Sequence, residues 1–368
     1  MKINTHKTII SLLALSMLFL ITLSSCSKDD PKDPEIEEPQ KEFVSSVDIS
    51  RYPEIMQFNP VFYDHNNNQK DFLDILKENG VNTIRLKLWV DPENEHAGFA
   101  EVKQFSKTLH SKGFMTWLTV HYSDTWADPG KQITPVRWQK LNFSALKDSV
   151  NAYTKRVVEE MEPDFIQIGN EINPGFLHPL GNINNFDQFK QLLQAGIEAV
   201  RETNPDTRIM LHYAGISGSY AFYNKLQDLD YDIIGISYYP WWHGKNPAEL
   251  ESTLTQLSIS FDHDVIVAET AYPFTLEWND WTNNIVGSED QLILPDFPAT
   301  EQGQQEFIRR IKKITWENVE RGLGFSYWGG EQIAWKGPEG TDASPWENLA
   351  LFDFNNKALP VLKEFNNE

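Results

Sequence analysis

Cysteine is nearly absent: Cys26 is the only one in 368 residues. No disulfide can form within the chain, so the folded part must be held by its core. Cations are also scarce, with 32 Lys and Arg against 53 Asp and Glu and a formal charge of −21. No basic block interrupts this acidity, which argues against nucleic acid or anionic lipid as a charge-driven partner and favours a neutral substrate. A Gly-rich phosphate loop after the first apolar run is missing, against an open nucleotide-binding sheet. The one histidine of the segment His121–Gly130, with two aspartates, lacks the spacing of a zinc site. No cofactor is therefore expected for catalysis.

Long apolar runs are limited to one, Thr8–Leu23, which follows Lys2 and Lys7 and leads into Leu23-Ser24-Ser25-Cys26. This pattern resembles a bacterial lipobox. It predicts a signal peptide over 1–26, lipidation of Cys26, and an outer-membrane lipoprotein exposed at the surface of a Gram-negative cell, touching the membrane through its lipid alone. Residues 27–42 (SKDDPKDPEIEEPQKE) are acidic and Pro-rich, the composition of a flexible tether. The folded domain is expected over 43–368, as a monomer.

Within that domain, apolar strand-like runs alternate with amphipathic helical stretches. Strands are predicted at Val47–Ser50, Thr83–Val90, Phe114–Tyr122, Asp164–Ile172, Arg208–Ala214, Asp232–Tyr239, Val265–Ala271 and Gly324–Trp328. Helices are predicted at Asp71–Gly80, Phe99–Lys112, Leu146–Met161, Phe186–Arg201, Ala248–Leu257 and Glu306–Val319. Eight such units without a composition break predict a single-domain (β/α)8 TIM barrel, α/β in class, with its chemistry on the loops that follow the strands.

Polar and aromatic clusters fall on those loops. Glu171 closes the fourth strand candidate and Glu269 the seventh, a pair suited to glycosidic cleavage, in which one carboxyl protonates the leaving oxygen and the other attacks as a carboxylate. Glu171 is the candidate acid/base and Glu269 the nucleophile. Asn170 is suited to bind the sugar 2-hydroxyl. Arg85 is placed to keep Glu269 ionised, and Tyr238 to donate to the same carboxylate. His121, Asp124 and Trp126 are candidate sugar contacts in the loop after the third strand. Trp241, Trp242 and Trp328 are candidate stacking surfaces in a chain with 12 tryptophans. From the residues alone, the expectation is a retaining glycosidase on a barrel.

The segments DISRYPEI (48–55), IRLKLWVDP (84–92), HYSDTWADPG (121–130), GNEIN (169–173), ISYYPWWHG (236–244), VAETAYPFT (267–275) and WENLALFDF (346–354) resemble glycoside hydrolase family 53, the endo-β-1,4-galactanases. The resemblance spans about Asp48 to Leu362. It implies retaining endo-hydrolysis of β-1,4-galactan, type I arabinogalactan and derived galacto-oligosaccharides by double displacement through Glu171 and Glu269. Thr119, His178 and Gly329-Gly330-Glu331 depart from the family pattern, which implies altered distal subsites. Some bacterial members carry calcium between the last two loops, so a structural Ca2+ is implied within 278–300, at residues such as Asp280, Asp290 and Asp296. The alternatives are a retaining mannanase or glucanase, or a non-catalytic glycan-binding lipoprotein.

Overall fold

The computed structural model describes residues 41–367. The signal segment, Cys26 and the tether as far as Gln40 lie outside the described residues. Eight parallel strands close into a barrel: β1 (Val44–Asp48), β4 (Thr83–Leu88), β5 (Met115–Val120), β6 (Phe165–Ile168), β7 (Arg208–Ala214), β8 (Ile233–Ser237), β9 (Asp264–Thr270) and β10 (Gly322–Trp328), with β1 pairing both β4 and β10. The expected barrel is the observed one. A two-stranded hairpin, β2 (Phe62–Tyr63) with β3 (Gln69–Lys70), lies outside it and was not predicted, because strands of two residues carry no period.

Each expected helix forms. They are α2 (Phe72–Glu78), α3 (Phe99–Ser111), α4 (Phe143–Met161), α5 (Phe186–Thr203), α8 (Pro247–Phe261) and α9 (Glu301–Lys312). Three short ones, α1 (Tyr52–Met56), α6 (Ser219–Asn224) and α7 (Pro240–His243), are additional. In α5 the buried residues Phe189, Leu192, Leu193, Ile197 and Val200 recur at helical spacing and form one apolar stripe against the sheet. Side-chain caps set several starts: Asp71 accepts from the Asp74 amide, Asn142 from Ala145, and Thr300 from Gly303. The Thr300 cap starts α9 five residues before the predicted Glu306, and the helix passes into a π-turn at Lys313–Asn318.

The core has two layers. Most buried apolar residues lie between strands and helices, as one large cluster. A second cluster takes about one residue from each of seven strands: Val44, Trp117, Phe165, Met210, Ile233, Ile266 with Ala268, and Leu323. This is the floor of the barrel lumen, filled by side chains in the manner of such barrels. Lys41 Nζ donates to Trp316 O (2.8 Å) and Val319 O (3.2 Å), which ties the chain just before β1 to the π-turn after α9. Among the described residues no helix is long and apolar enough to cross a membrane.

Candidate active site

Above the lumen floor, the inward positions turn polar. Strand alternation carries Val44 to Ser46 and Asp48, Phe165 to Gln167, Met210 to His212, and Ile233 to Ser237, so that buried polar groups from several strands converge at the C-terminal rim. A cavity of about 390 Å³ opens there, lined by both Glu171 and Glu269 together with Arg85, Asn170, His121 and Trp126 among others.

Arg85 organises the middle of the site. Its Nη1 donates to Asp48 Oδ2 (2.6 Å), and its Nη2 donates to Glu269 Oε1 (2.7 Å) and Asn170 Oδ1 (2.9 Å). All of this is buried. A guanidinium pairs well with carboxylates in such a place because its planar donor fork is matched to them and stays charged. Asp48 lies opposite Arg85 in the β1/β4 register, which explains the contact.

Glu269 also receives a hydrogen bond from a tyrosine, but not from the one expected. Tyr239 Oη donates to Glu269 Oε2 (3.1 Å), whereas Tyr238 Oη turns away to Gly244 O (2.8 Å) and is fully buried. Tyr238 therefore belongs to the packing behind the rim. The physical reason is where β8 stops: Ser237 is its last residue, and the register against β9 slips there, with Ile236 opposite Val267 but Ser237 opposite Glu269. That surplus residue in β9 is a β-bulge, a device that re-aims side chains at barrel rims.

Glu171 is presented by a sharp turn. Gly169 has φ +81°, and a Cβ there would lie 2.5 Å from Ile172 Cγ2, so only glycine fits. β6 consequently ends at Ile168 rather than at the predicted Ile172. Glu171 itself adopts φ +46°, a left-handed conformation that is costly for a non-glycine residue and found disproportionately at functional sites. Gln132 Nε2 grips the turn by donating to Asn170 O (2.8 Å) and Glu171 O (3.3 Å), a role nothing in the sequence pattern signals. Asn170 Nδ2 donates to Ala127 O (2.8 Å), which ties the turn to the neighbouring loop.

The two carboxylates differ in their partners. Each contributes an oxygen that lies within 4.8 Å of the other's. Burial raises both carboxyls; for Glu269 it is opposed by the Arg85 charge and by donors from Tyr239 and Arg85. Glu171 is pushed up to about 8, first by burial and then by the charge of Glu269, with Ser237 as its one close donor. These surroundings favour the charge on Glu269, beside the Arg85 cation, and the proton on Glu171. His212 completes this group, and the three side chains are close enough to suggest a metal site. They do not fit one: His212 Nε2 already faces Ser237 Oγ (2.8 Å), its Nδ1 faces Gln167 Nε2 (2.8 Å), and the Arg85 cation occupies Glu269.

The aromatic wall is continuous. Trp126, Trp328 and Trp346 follow one another with ring centroids 5.9 and 4.6 Å apart, and Trp346 leads on to Tyr239 and Trp242. Trp328, Trp126 and Trp242 line the cavity as expected, and Trp346 joins them. Trp241 does not line it; partly buried, it packs against the core cluster and Trp346. Asp124 does not reach the cavity either, since its Oδ2 is spent on the Val136 amide (2.8 Å) as a loop staple, while Asp128 lines the cavity instead. His121 lines it with Nδ1 accepting from the Ala127 amide (3.1 Å), and it is kept neutral by burial and by Arg85 and Lys87.

Lys87 was missed because it sits inside an apolar strand run. Its buried ammonium lies 4.2 Å from the Trp126 ring centre and 5.0 Å from that of Trp89, on the cavity wall, and burial followed by the Arg51 charge lowers it to about 8.

Of the expected calcium ligands, Asp280 is buried, but Asp290 and Asp296 are exposed. Asp290 is instead the acceptor of the Ser288 hydroxyl within its own turn. Among the buried oxygens that lack a partner among the described residues, Asp280 Oδ2, Asn284 Oδ1 and Glu347 Oε2 come from the loops after β9 and β10. Glu347 Oε1 binds the amides of Asn279 and Asp280 (2.6 and 3.3 Å), so the orphaned oxygens belong to one loop junction. Oxygen-only donors of this kind fit calcium.

The comparisons with known proteins agree in direction. The profile of glycosyl hydrolase family 53 matches residues 44–365. A solved GH53 catalytic domain of Ignisphaera aggregans is 39% identical, with a TM-score of 0.84, covering 90% of this chain and 98% of that one. The endo-beta-1,4-galactanase of Bacillus subtilis is 30% identical over 383 residues, 90% of this chain and 87% of its own. The arabinogalactan endo-beta-1,4-galactanase A of Aspergillus niger is 31% identical over 295 residues, 76% of this chain and 81% of its own.

Proposed function

The chain belongs to glycosyl hydrolase family 53 and is a glycoside hydrolase, and from that premise we propose that it cleaves β-1,4-galactosidic bonds within galactan, with retention of configuration. The observation that carries the reading is the pair of buried carboxylates with opposite surroundings, Glu269 held by Arg85 and Tyr239, Glu171 by a single hydroxyl. An approach within 4.8 Å supports retention, since retaining pairs stand about 5–5.5 Å apart and inverting pairs about 6.5–9.5 Å. The relatives' names support galactan as substrate.

In the proposed first step, Glu269 attacks the anomeric carbon. The C–O electron pair leaves with the glycosidic oxygen, which takes the proton of Glu171. In the second step Glu171, now a carboxylate, removes a proton from water, and the water oxygen displaces Glu269. Asn170, anchored by Arg85 and Ala127, is positioned for the 2-hydroxyl, and the Trp126–Trp328–Trp346 wall for the sugar faces. Lys87 and Asp128 add polar contacts along the cavity.

The deciding experiment is a product time course on linear β-1,4-galactan, mannan and glucan, with Glu171→Ala alongside. Early release of mixed-length galacto-oligosaccharides is expected. Release from mannan or glucan alone, or binding of galactan without turnover, would overturn the reading. Two accessory proposals accompany it. Calcium, if bound, is held by Asp280, Asn284 and Glu347 and braces the junction of the last two loops; a rise in melting temperature on adding calcium to chelated protein, lost in Asp280→Asn, tests this. Cys26 is the lipid attachment point, tested by loss of membrane fractionation in Cys26→Ser.

A further inference from the structure

Two buried polar side chains stand behind Glu171 without any part in the steps above. Ser237 ends β8, His212 lies in the middle of β7, and both are fully buried. Ser237 Oγ donates to Glu171 Oε1 at 2.6 Å and lies 2.8 Å from His212 Nε2. On the other side of the ring, Nδ1 lies 2.8 Å from Gln167 Nε2, an amide nitrogen that has only hydrogens to offer.

These contacts fix the direction of every proton in the chain. Nδ1 faces two donors, Gln167 Nε2 and the Glu171 amide (3.4 Å), and one oxygen, Asn170 Oδ1 (3.2 Å), which already accepts from Arg85 Nη2 and Gln167 Nε2; Nδ1 therefore carries the lone pair and the ring hydrogen is on Nε2. That hydrogen points at Ser237 Oγ, which leaves the single hydroxyl hydrogen of Ser237 directed at Glu171 Oε1. His212 is neutral, held well below its ordinary value by burial and by the Arg85 charge, so it serves as an orienter and not as a proton source.

We propose that Ser237, oriented by His212, is a positioning residue that confines the acid proton of Glu171 to Oε2. An oxygen already accepting a short hydrogen bond is a poor seat for a proton, because the incoming hydrogen occupies the lone pair region and repels a second one. Oε2 has no partner among the described residues, and the cavity lies in front of Glu171. The proton is thus held on the oxygen that faces a leaving group, with no reorientation needed at the moment of transfer. In the second step the same hydroxyl stabilises the carboxylate that accepts the proton of water. The groups that face Glu171 with charge are Glu269, Asp128 and Arg85; Ser237 is the close donor among its neighbours.

The inference rests on Glu171 being the acid/base, and the experiment separates the two. Ser237→Ala and Ser237→Thr are compared with Glu171→Ala on a galacto-oligosaccharide and on an aryl galactoside with a good leaving group, as kcat/KM against pH, with melting temperatures as a folding check. General acid–base catalysis contributes about 10²–10⁴-fold, so misplacing its proton should cost on the order of tenfold with the natural substrate. With the activated substrate Ser237→Ala should stay near wild type. Its alkaline limb should move to higher pH, because the ionised carboxylate has lost a donor. Ser237→Thr, which keeps the hydroxyl, should restore both; if it is misfolded by its extra methyl, the Ala result alone decides. Equal losses on both substrates with an unmoved alkaline limb would overturn the proposal. If Glu171→Ala itself fails to discriminate between leaving groups, the acid/base assignment falls as well; if it discriminates and Ser237→Ala does not, only the role of Ser237 falls.

Discussion

The two ends of the barrel lumen are built from the same strands by the same alternation, and they do opposite things. At the floor, Val44, Trp117, Phe165, Met210, Ile233 and Leu323 fill the space with apolar volume. At the mouth, Asp48, Arg85, Gln167, His212 and Ser237 occupy the continuing inward positions and Glu269 joins them through the β9 bulge, all of them buried. Burial at the floor is favourable in itself. Burial at the mouth is costly, and it is tolerated because charges and polar groups meet partners: Arg85 against Asp48 and Glu269, Gln167 against Asn170 and His212. Trp117 joins the two ends, its ring among the floor residues and its indole N–H donating to Gln167 Oε1 (3.2 Å). The lesson is a division of labour along a single strand: stability is collected below and spent above on a desolvated, pre-set charge pattern.

Four changes test that division. Glu269→Ala removes the nucleophile at the mouth and should lower kcat by about 10⁴–10⁶-fold, the scale seen when a covalent nucleophile is lost. Galactan binding, followed by affinity electrophoresis, should survive, and azide should restore turnover with inverted product. Phe165→Ala cuts the floor instead. It should lower unfolding free energy by about 3–5 kcal/mol in a denaturant titration, while kcat/KM well below the melting temperature stays close to wild type. A large kinetic loss there would show that the two ends are not separable.

The pH profile is the third. Glu171 must hold its proton for the first step, and its value near 8 means that kcat/KM should fall as pH rises through about 8. Glu269 must be ionised, so activity should also fall on the acid side. Replacing Asp128, which adds to the rise at Glu171, by Asn should move the alkaline limb down. Last and smallest, Trp242→Ala removes a half-exposed ring from the outer wall. The loss should be about 0.5–1.5 kcal/mol, the scale of one aromatic contact. It should appear in KM for long galactan and not in kcat for short oligosaccharides.

Much of the fold was legible because the floor follows the period: apolar strand runs and helical stripes gave the barrel strands and six helices within a few residues. Glu171, Glu269, Asn170 and Arg85 were legible because each stands at or near a strand end, where barrels keep their chemistry. What escaped lies where a single residue of register decides. Tyr238 and Tyr239 are adjacent and alike, and only the end of β8 determines which ring reaches Glu269. Lys87, Ser237 and His212 are polar residues within apolar runs, where the alternation that makes them face inward cannot be told from ordinary strand noise. Asp124 and Trp241 sit on irregular loops, whose side-chain directions depend on turns with no period at all. For calcium, a count of acidic residues picked Asp290 and Asp296, which are solvated, and passed over Glu347, which is buried 67 positions further along the chain than the Asp280 whose amide it binds.

The slip between β8 and β9 reaches further than the choice of tyrosine. In an unbroken ladder Ser237 would stand opposite Ala268, and the two-residue period would turn Glu269 outward to the helices. The carboxylate proposed as nucleophile thus owes its place to one surplus residue. Anyone transplanting these side chains onto an idealised eightfold scaffold would reproduce every name on the rim and still aim the key group at the wrong layer.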